Sequence, residues 1–208
     1  NLTWTFVNCS SLQHGPSIGT GVTDMTSAFQ GCVSMQQPPV INSTRVKVMS
    51  SCFKDCHAMV SPPTISHITS LEKMDWAFQS CITMTVMPTL PTVTSGGLDA
   101  GGSFNGCTAL RWEQPITTGV TTIAYAFQNC TSLVNAPKIS GTVQNMYAAF
   151  DGCTSLVNAT PIPNSVGDLR HTFKNCTKLA AVPSLGTGMN SLTYTFYGCE
   201  SLTSCGTI

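Results

Sequence analysis

One phrase, FxxCxxL with Met sometimes in the last place, recurs nine times along this 208-residue chain and limits its fold more than any other feature. Its phenylalanines are Phe6, Phe29, Phe53, Phe78, Phe104, Phe127, Phe150, Phe173 and Phe196, separated by 23, 24, 25 and 26 residues and then four times by 23. A fixed period in the twenties marks a solenoid, in which each unit buries its apolar face only by stacking on its neighbours. The chain is therefore read as one solenoid domain of nine units over residues 1–208.

Aligned on Phe, the units share further apolar positions. Leu, Met, Ile or Ala stands four residues before, Cys three after, Leu or Met six after, and Ile or Leu twelve after. Seven residues before stands Val, Leu or Met, except in the glycine-rich fifth unit, where Gly97 falls. The intervals from seven before to three after run 3-4-3, the spacing of one helical face, which predicts a short helix or 3₁₀ turn. The stretch after Leu, such as Leu179–Leu185, is too short and too proline-marked for a helix. It is expected to be a strand of about three residues, ended by the recurrent proline (Pro16, Pro39, Pro63, Pro88, Pro137, Pro183). Two looser stretches, Ser66–Ser70 and Pro91–Ser103, either project for binding or mark packing irregularities.

Nine Lys and Arg against nine Asp and Glu provide no basic face, so nucleic acid is not an expected partner. No apolar run reaches the length of a bilayer span, and no signal-peptide pattern opens the chain. A start at Asn1 and a stop at Ile208 without polar caps suggest a piece of a longer protein or a processed product.

The cysteine column Cys9, Cys32, Cys56, Cys81, Cys107, Cys130, Cys153, Cys176 and Cys199 sits on the apolar face, which points to a ladder of buried free thiols. Rung-to-rung disulfides are sterically conceivable, but an odd column cannot pair completely. Cys52 and Cys205 fall outside it, within reach in sequence of Cys56 and Cys199. One Cys per unit without matched His does not supply a tetrahedral metal set, so no metal or cofactor is expected. The four histidines fall in four phases of the repeat, and no nucleophile elbow, phosphate loop or metalloprotease motif occurs, so no catalytic residue is assigned.

Two surfaces are candidates for binding. Two residues before Phe lie Trp4, Trp76, Tyr125, His171 and Tyr194, with Tyr147 one place earlier. These planar side chains either stack on sugar rings or a protein partner, or shield the groove between neighbouring turns. The second surface follows Leu or Met. It includes Gln13, His14 and Gln37, with Arg111, Trp112 and Glu113 its most distinctive point. Six Asn-x-Ser/Thr sequons, at Asn1, Asn8, Asn42, Asn129, Asn158 and Asn175, matter only in a secreted eukaryotic setting.

The phrases AFQNCTSL, AFDGCTSL and TFKNCTKL, each followed by a short segment and Pro, resemble the BspA-like leucine-rich-repeat surface proteins. The resemblance covers all nine units. It implies an α/β solenoid, a leucine-rich-repeat-like right-handed stack of short strand plus short helix or 3₁₀ units. It also implies a non-enzymatic module outside the cell or on a virion, binding protein or glycan on a cell surface. The alternative is a structural subunit of a phage fibre, virion decoration or filament, whose partners are neighbouring subunits.

Overall fold

The computed structural model describes residues 1–94, 96–111 and 114–205. All nine phenylalanines form one column from Phe6 to Phe196, with ring centroids 5.1–5.7 Å apart and planes within 22° of parallel at every step. Rings from Phe29 to Phe173 are at most 1 % exposed. Burying each contributes about 1.5–3 kcal/mol, and offset stacking adds about 0.5–1.5 kcal/mol.

The expected helical half is absent: no helix occurs among the described residues, and a ribbon of overlapping turns replaces it. In the first unit Thr5 N donates to Leu2 O, Val7 N to Trp4 O, Cys9 N to Phe6 O and Leu12 N to Cys9 O, and every later unit repeats the set. The intervening N–H groups turn to the next coil. Leu2, Trp4, Phe6 and Asn8 donate to Asp24, Thr26, Ala28 and Gln30 at 2.7–3.0 Å. A helix is prevented because two residues per unit are left-handed. The second position before Phe has φ of 50–63° and the second after has 58–76° throughout. Apolar side chains spaced three and four apart still face inward, so the periodicity was that of the turns rather than of a helix.

The strand expected after Leu also shrinks. Single parallel bridges join His14 to Gln37, Asn135 to Asn158 and Ala181 to Ser204. Beyond the proline, among the described residues, only β1 (Ser17–Ile18) and β2 (Val40–Ile41) pair as strands, in parallel. A proline lacks the N–H that would extend the ladder. The more continuous pairing lies five residues before Phe. Bridges there run from Asp24 through Val48 and Lys73 to Asp99, and from Thr122 through Asn145 and Asp168 to Ser191. The two runs meet where β3 (Leu98–Asp99) pairs with β4 (Val120–Thr122) in a bulged register. That irregularity lets Leu98, one place late, fill the core position Gly97 leaves empty. The Ser66–Ser70 insertion likewise folds inward through the fully buried Ile68.

All eleven cysteines are free, and eight are buried. From Cys32 to Cys199, each Sγ of the column donates to the phenylalanine carbonyl of the preceding unit at 3.0–3.2 Å. A thiol is small enough for the core yet still a weak donor. Cys52 occupies the small-residue position before Phe53, equivalent to Ala28 and Ala77. Burial pushes Cys32 and Cys199 up to about 11 and Cys107 to about 12, and raises Cys52, Cys56, Cys81, Cys130, Cys153 and Cys176 well above the ordinary thiol value.

Candidate functional site

The turn ribbon holds the second position before Phe at positive φ, buried where the residue is small (Ser27, Gly102, Ala148) and reaching solvent where it is aromatic. A turn needing positive φ at its third residue ordinarily takes Gly or Asn. The position two after Phe follows that preference, with Asn8, Gly31, Asp55, Ser80, Gly106, Asn129, Gly152, Asn175 and Gly198. The position two before Phe does not: Trp4, Trp76, Tyr125, His171 and Tyr194 hold φ of 56–59°. A left-handed residue with a bulky Cβ costs about 1 kcal/mol, so the aromatic rings stand there against local backbone preference.

From Trp76 onward the rings make one continuous outer stripe, while Trp4 stands apart from it, beyond units that carry Ser27 and Ser51. Trp76 lies 6.0 Å from Tyr125, Tyr125 5.1 Å from Tyr147, Tyr147 5.5 Å from His171, and His171 5.2 Å from Tyr194. Tyr194 then meets Tyr197 edge-on at 5.7 Å. Trp76 reaches Tyr125 two units away only because Gly102 lies between them. A Cβ on Gly102, whose φ is +63°, would come within 2.3 Å of the indole. The rings both cover their neighbours and stay in contact with solvent. Trp4, Tyr194 and Tyr197 are exposed, and Trp76, Tyr125, Tyr147 and His171 are half-buried.

Beside the stripe, residues five before Phe fold the backbone locally. Asp24, Asp99, Asn145 and Asp168 each accept, through Oδ1, the N–H two residues on, at 2.8–3.0 Å. At Asp168 the same carboxylate takes Arg170 Nε at 3.0 Å and Nη2 at 2.8 Å, while the guanidinium carbon sits 5.2 Å over the Tyr147 ring. Hydrogen bonding from Arg170 holds the Asp168 carboxyl below its usual range. Burial, then the neighbouring Tyr147, raises Tyr125, so its hydroxyl keeps its proton. Two surface hollows, of about 540 and 400 Å³, share Asn145, Asp168 and Arg170 and form one cleft along this side of the stripe.

The other predicted residues fall elsewhere. Gln13, His14 and Gln37 are exposed on the side following Leu or Met, where His14 Nδ1 lies 3.0 Å from Gln37 Oε1. Arg111 is exposed, and its N–H donates to Thr85 O at 3.0 Å. Trp112 and Glu113 lie outside the described residues. Asn145, Asp168 and Arg170 escaped the sequence reading. The signal for Asn145 and Asp168 is the recurrence of Asn, Asp, Ser or Thr five residues before Phe, as at Asn1, Asp24, Asp99, Thr122, Asn145, Asp168 and Ser191; Arg170, three before Phe173, has none.

The chain is similar over 98 % of its length to a leucine-rich repeat protein from Bacteroides ovatus ATCC 8483 of known crystal structure, at 18 % identity, a TM-score of 0.44 and 74 % coverage of that chain. No curated protein matches it. The family model for the BspA type leucine rich repeat region matches in six copies, over residues 4–133 and 101–207. With coiled units stacked on a common phenylalanine column and nearly the whole chain matched, this protein belongs to the BspA-type leucine-rich-repeat family.

Proposed function

We propose that this chain is an extracellular, non-enzymatic recognition and adhesion module that grips its partner, protein or glycan, through the outer stripe of the turn ribbon. The observation that carries this reading is the placement of Trp76, Tyr125, His171 and Tyr194 at left-handed positions that turn chemistry assigns to Gly or Asn. Local rules broken without a local gain are characteristic of functional positions. Tyr and Trp are also the side chains that concentrate binding energy at interfaces. Solenoids bind through such extended surfaces.

Replacing Trp76, Tyr125 and Tyr194 together by Asn tests it. Binding of the labelled chain to intact cells, and to arrayed matrix proteins and glycans, should fall at least tenfold. Stability should hold or rise, because Asn tolerates positive φ. A lower Tm with unchanged binding would show that the rings only pack. Concentration-dependent assembly of the native chain without any surface binding would favour a structural subunit instead.

A further inference from the structure

We propose that the cleft between Tyr147 and Asn190 is a binding subsite for a neutral pyranose, with the sugar chain running along the stripe toward Tyr194; this deepens the recognition reading above and rests on it. The cleft has the chemistry a sugar ring requires. Its polar side chains are planar and already held: Asn145 Oδ1 is engaged by Tyr147 N at 2.8 Å, and both oxygens of Asp168 are engaged by Arg170. Such groups meet adjacent ring hydroxyls in pairs without first losing side-chain freedom. Among the described residues no protein partner occurs for Asn145 Nδ2 or Arg170 Nη1, which leaves a donor on each side chain for ligand oxygens.

One wall is aromatic. Tyr125 and Tyr147 line the hollow that holds Asn145, Asp168 and Arg170; Arg170 stands over Tyr147, so a sugar ring can lie with its C–H face on the Tyr125 phenol and its hydroxyls on the polar groups. The opposite wall is uncharged, made of Gln144, Asn190, Ser191 and Thr193. A hollow of about 540 Å³ falls in the range of small-ligand sites, about 300–1,000 Å³. The choice of a neutral ligand follows from the ion pair. Asp168 answers the single Arg170 charge at 2.8 Å, so a phosphate, sulfate or sialic carboxylate would have to compete with it. The polar wall of Asn190, Ser191 and Thr193 lies on the Tyr194 side, where His171 and then Tyr194 continue the rings at steps of 5.5 and 5.2 Å, which sets the direction of the sugar chain.

The full chain is titrated with neutral oligosaccharides (gluco-, manno- and galacto-oligomers) and with their sialylated and sulfated counterparts, followed by ligand-observed NMR and calorimetry. A neutral oligomer should bind. Asn145→Ala and Asp168→Asn should each weaken it at least tenfold while staying folded at the assay temperature, Asn145→Ala with a slightly lower Tm for the turn bond lost to Tyr147 N, while Asn135→Ala, on another side of the coil, should leave it unchanged. Binding of acidic sugars only, or neutral binding indifferent to both cleft variants, would overturn the assignment. If no sugar binds while the native chain still holds cells or matrix proteins through the stripe, the sugar subsite falls and the recognition reading stands. If neither occurs, both fall.

Discussion

The thiol column makes the stability of this protein steeply dependent on alkali, and the size of the effect follows from its burial. In the unfolded chain each cysteine loses its proton near the ordinary value of 9.0, whereas burial holds the folded thiols above it, Cys107 at about 12. Between these limits the native state binds more protons than the unfolded state, so stability falls as pH rises. The contribution is fully present below pH 9.0 and is lost progressively above it. Each thiol costs about 1.4 kcal/mol per pH unit. Seven of the eight fully buried thiols (Cys52, Cys56, Cys81, Cys107, Cys130, Cys153 and Cys176), leaving aside Cys32, which rises only to about 11, together cost ~10 kcal/mol per unit. Domains are typically stable by about 5–15 kcal/mol, so the fold should collapse between about pH 9.5 and 10.5. Circular dichroism and thiolate absorbance, recorded together in reductant, check this. Thiolate from the eight buried cysteines should appear in one step with unfolding. Replacing Cys107, Cys130 and Cys153 by Ala should reduce the slope to roughly 6 kcal/mol per pH unit, whatever it does to the stability at neutral pH. Gradual titration of the eight buried thiols near pH 9 in a still-folded chain would refute the buried column.

Native alkylation should modify the exposed Cys9 and Cys205 quickly, Cys199 more slowly, and the remaining eight only after denaturation, as counted by mass. Phe127→Ala removes a ring stacked at 5.5 Å on one side and 5.2 Å on the other. It should cost about 3–5 kcal/mol in a denaturant titration, and a cost below about 1 kcal/mol would contradict the stacking. Gly102→Ala puts a Cβ in the place of the Trp76 indole. It should shift tryptophan emission toward that of a solvated ring and destabilise by about 1–3 kcal/mol. The Asp168 carboxyl is held below its usual 3.8 by Arg170, so the pair is complete above that value and is lost as pH falls through the lower folded value. Tyr147 ring resonances should therefore stay constant from neutral pH to about pH 5, move only below about pH 4, and be displaced at neutral pH in Asp168→Asn.

The turn ribbon shows how far the residues could be read. Asn8, Asp55, Asn129 and Asn175, together with Gly31, Gly106, Gly152 and Gly198, spell out a left-handed position in eight of the nine units, Ser80 being the exception. The companion position hides it, because Trp, Tyr, His, Ser and Ala stand where Gly or Asn is ordinary. A spacing of three and four suits both a helix and a chain of i to i+3 turns, and only the direction of the intervening N–H groups separates them. The thiol offers a similar lesson. Cysteine in phase with Phe predicted burial, but its donation to the preceding unit's carbonyl depends on the register between coils.

Periodicity by itself determined that successive units stack, and that Phe, Cys and Leu or Met point inward. Apolar residues held at constant phase over nine units leave no other way to remove that surface from water. Only the tertiary structure decided that the coil is built of turns rather than helices, and that Asn145, Tyr147, Asp168 and Arg170 share one cleft. Asn145 and Tyr147 belong to one unit and Asp168 and Arg170 to the next, and they become neighbours across the parallel bridge between Asn145 and Asp168. That proximity is set by hydrogen bonding between coils, which no spacing along a single chain records.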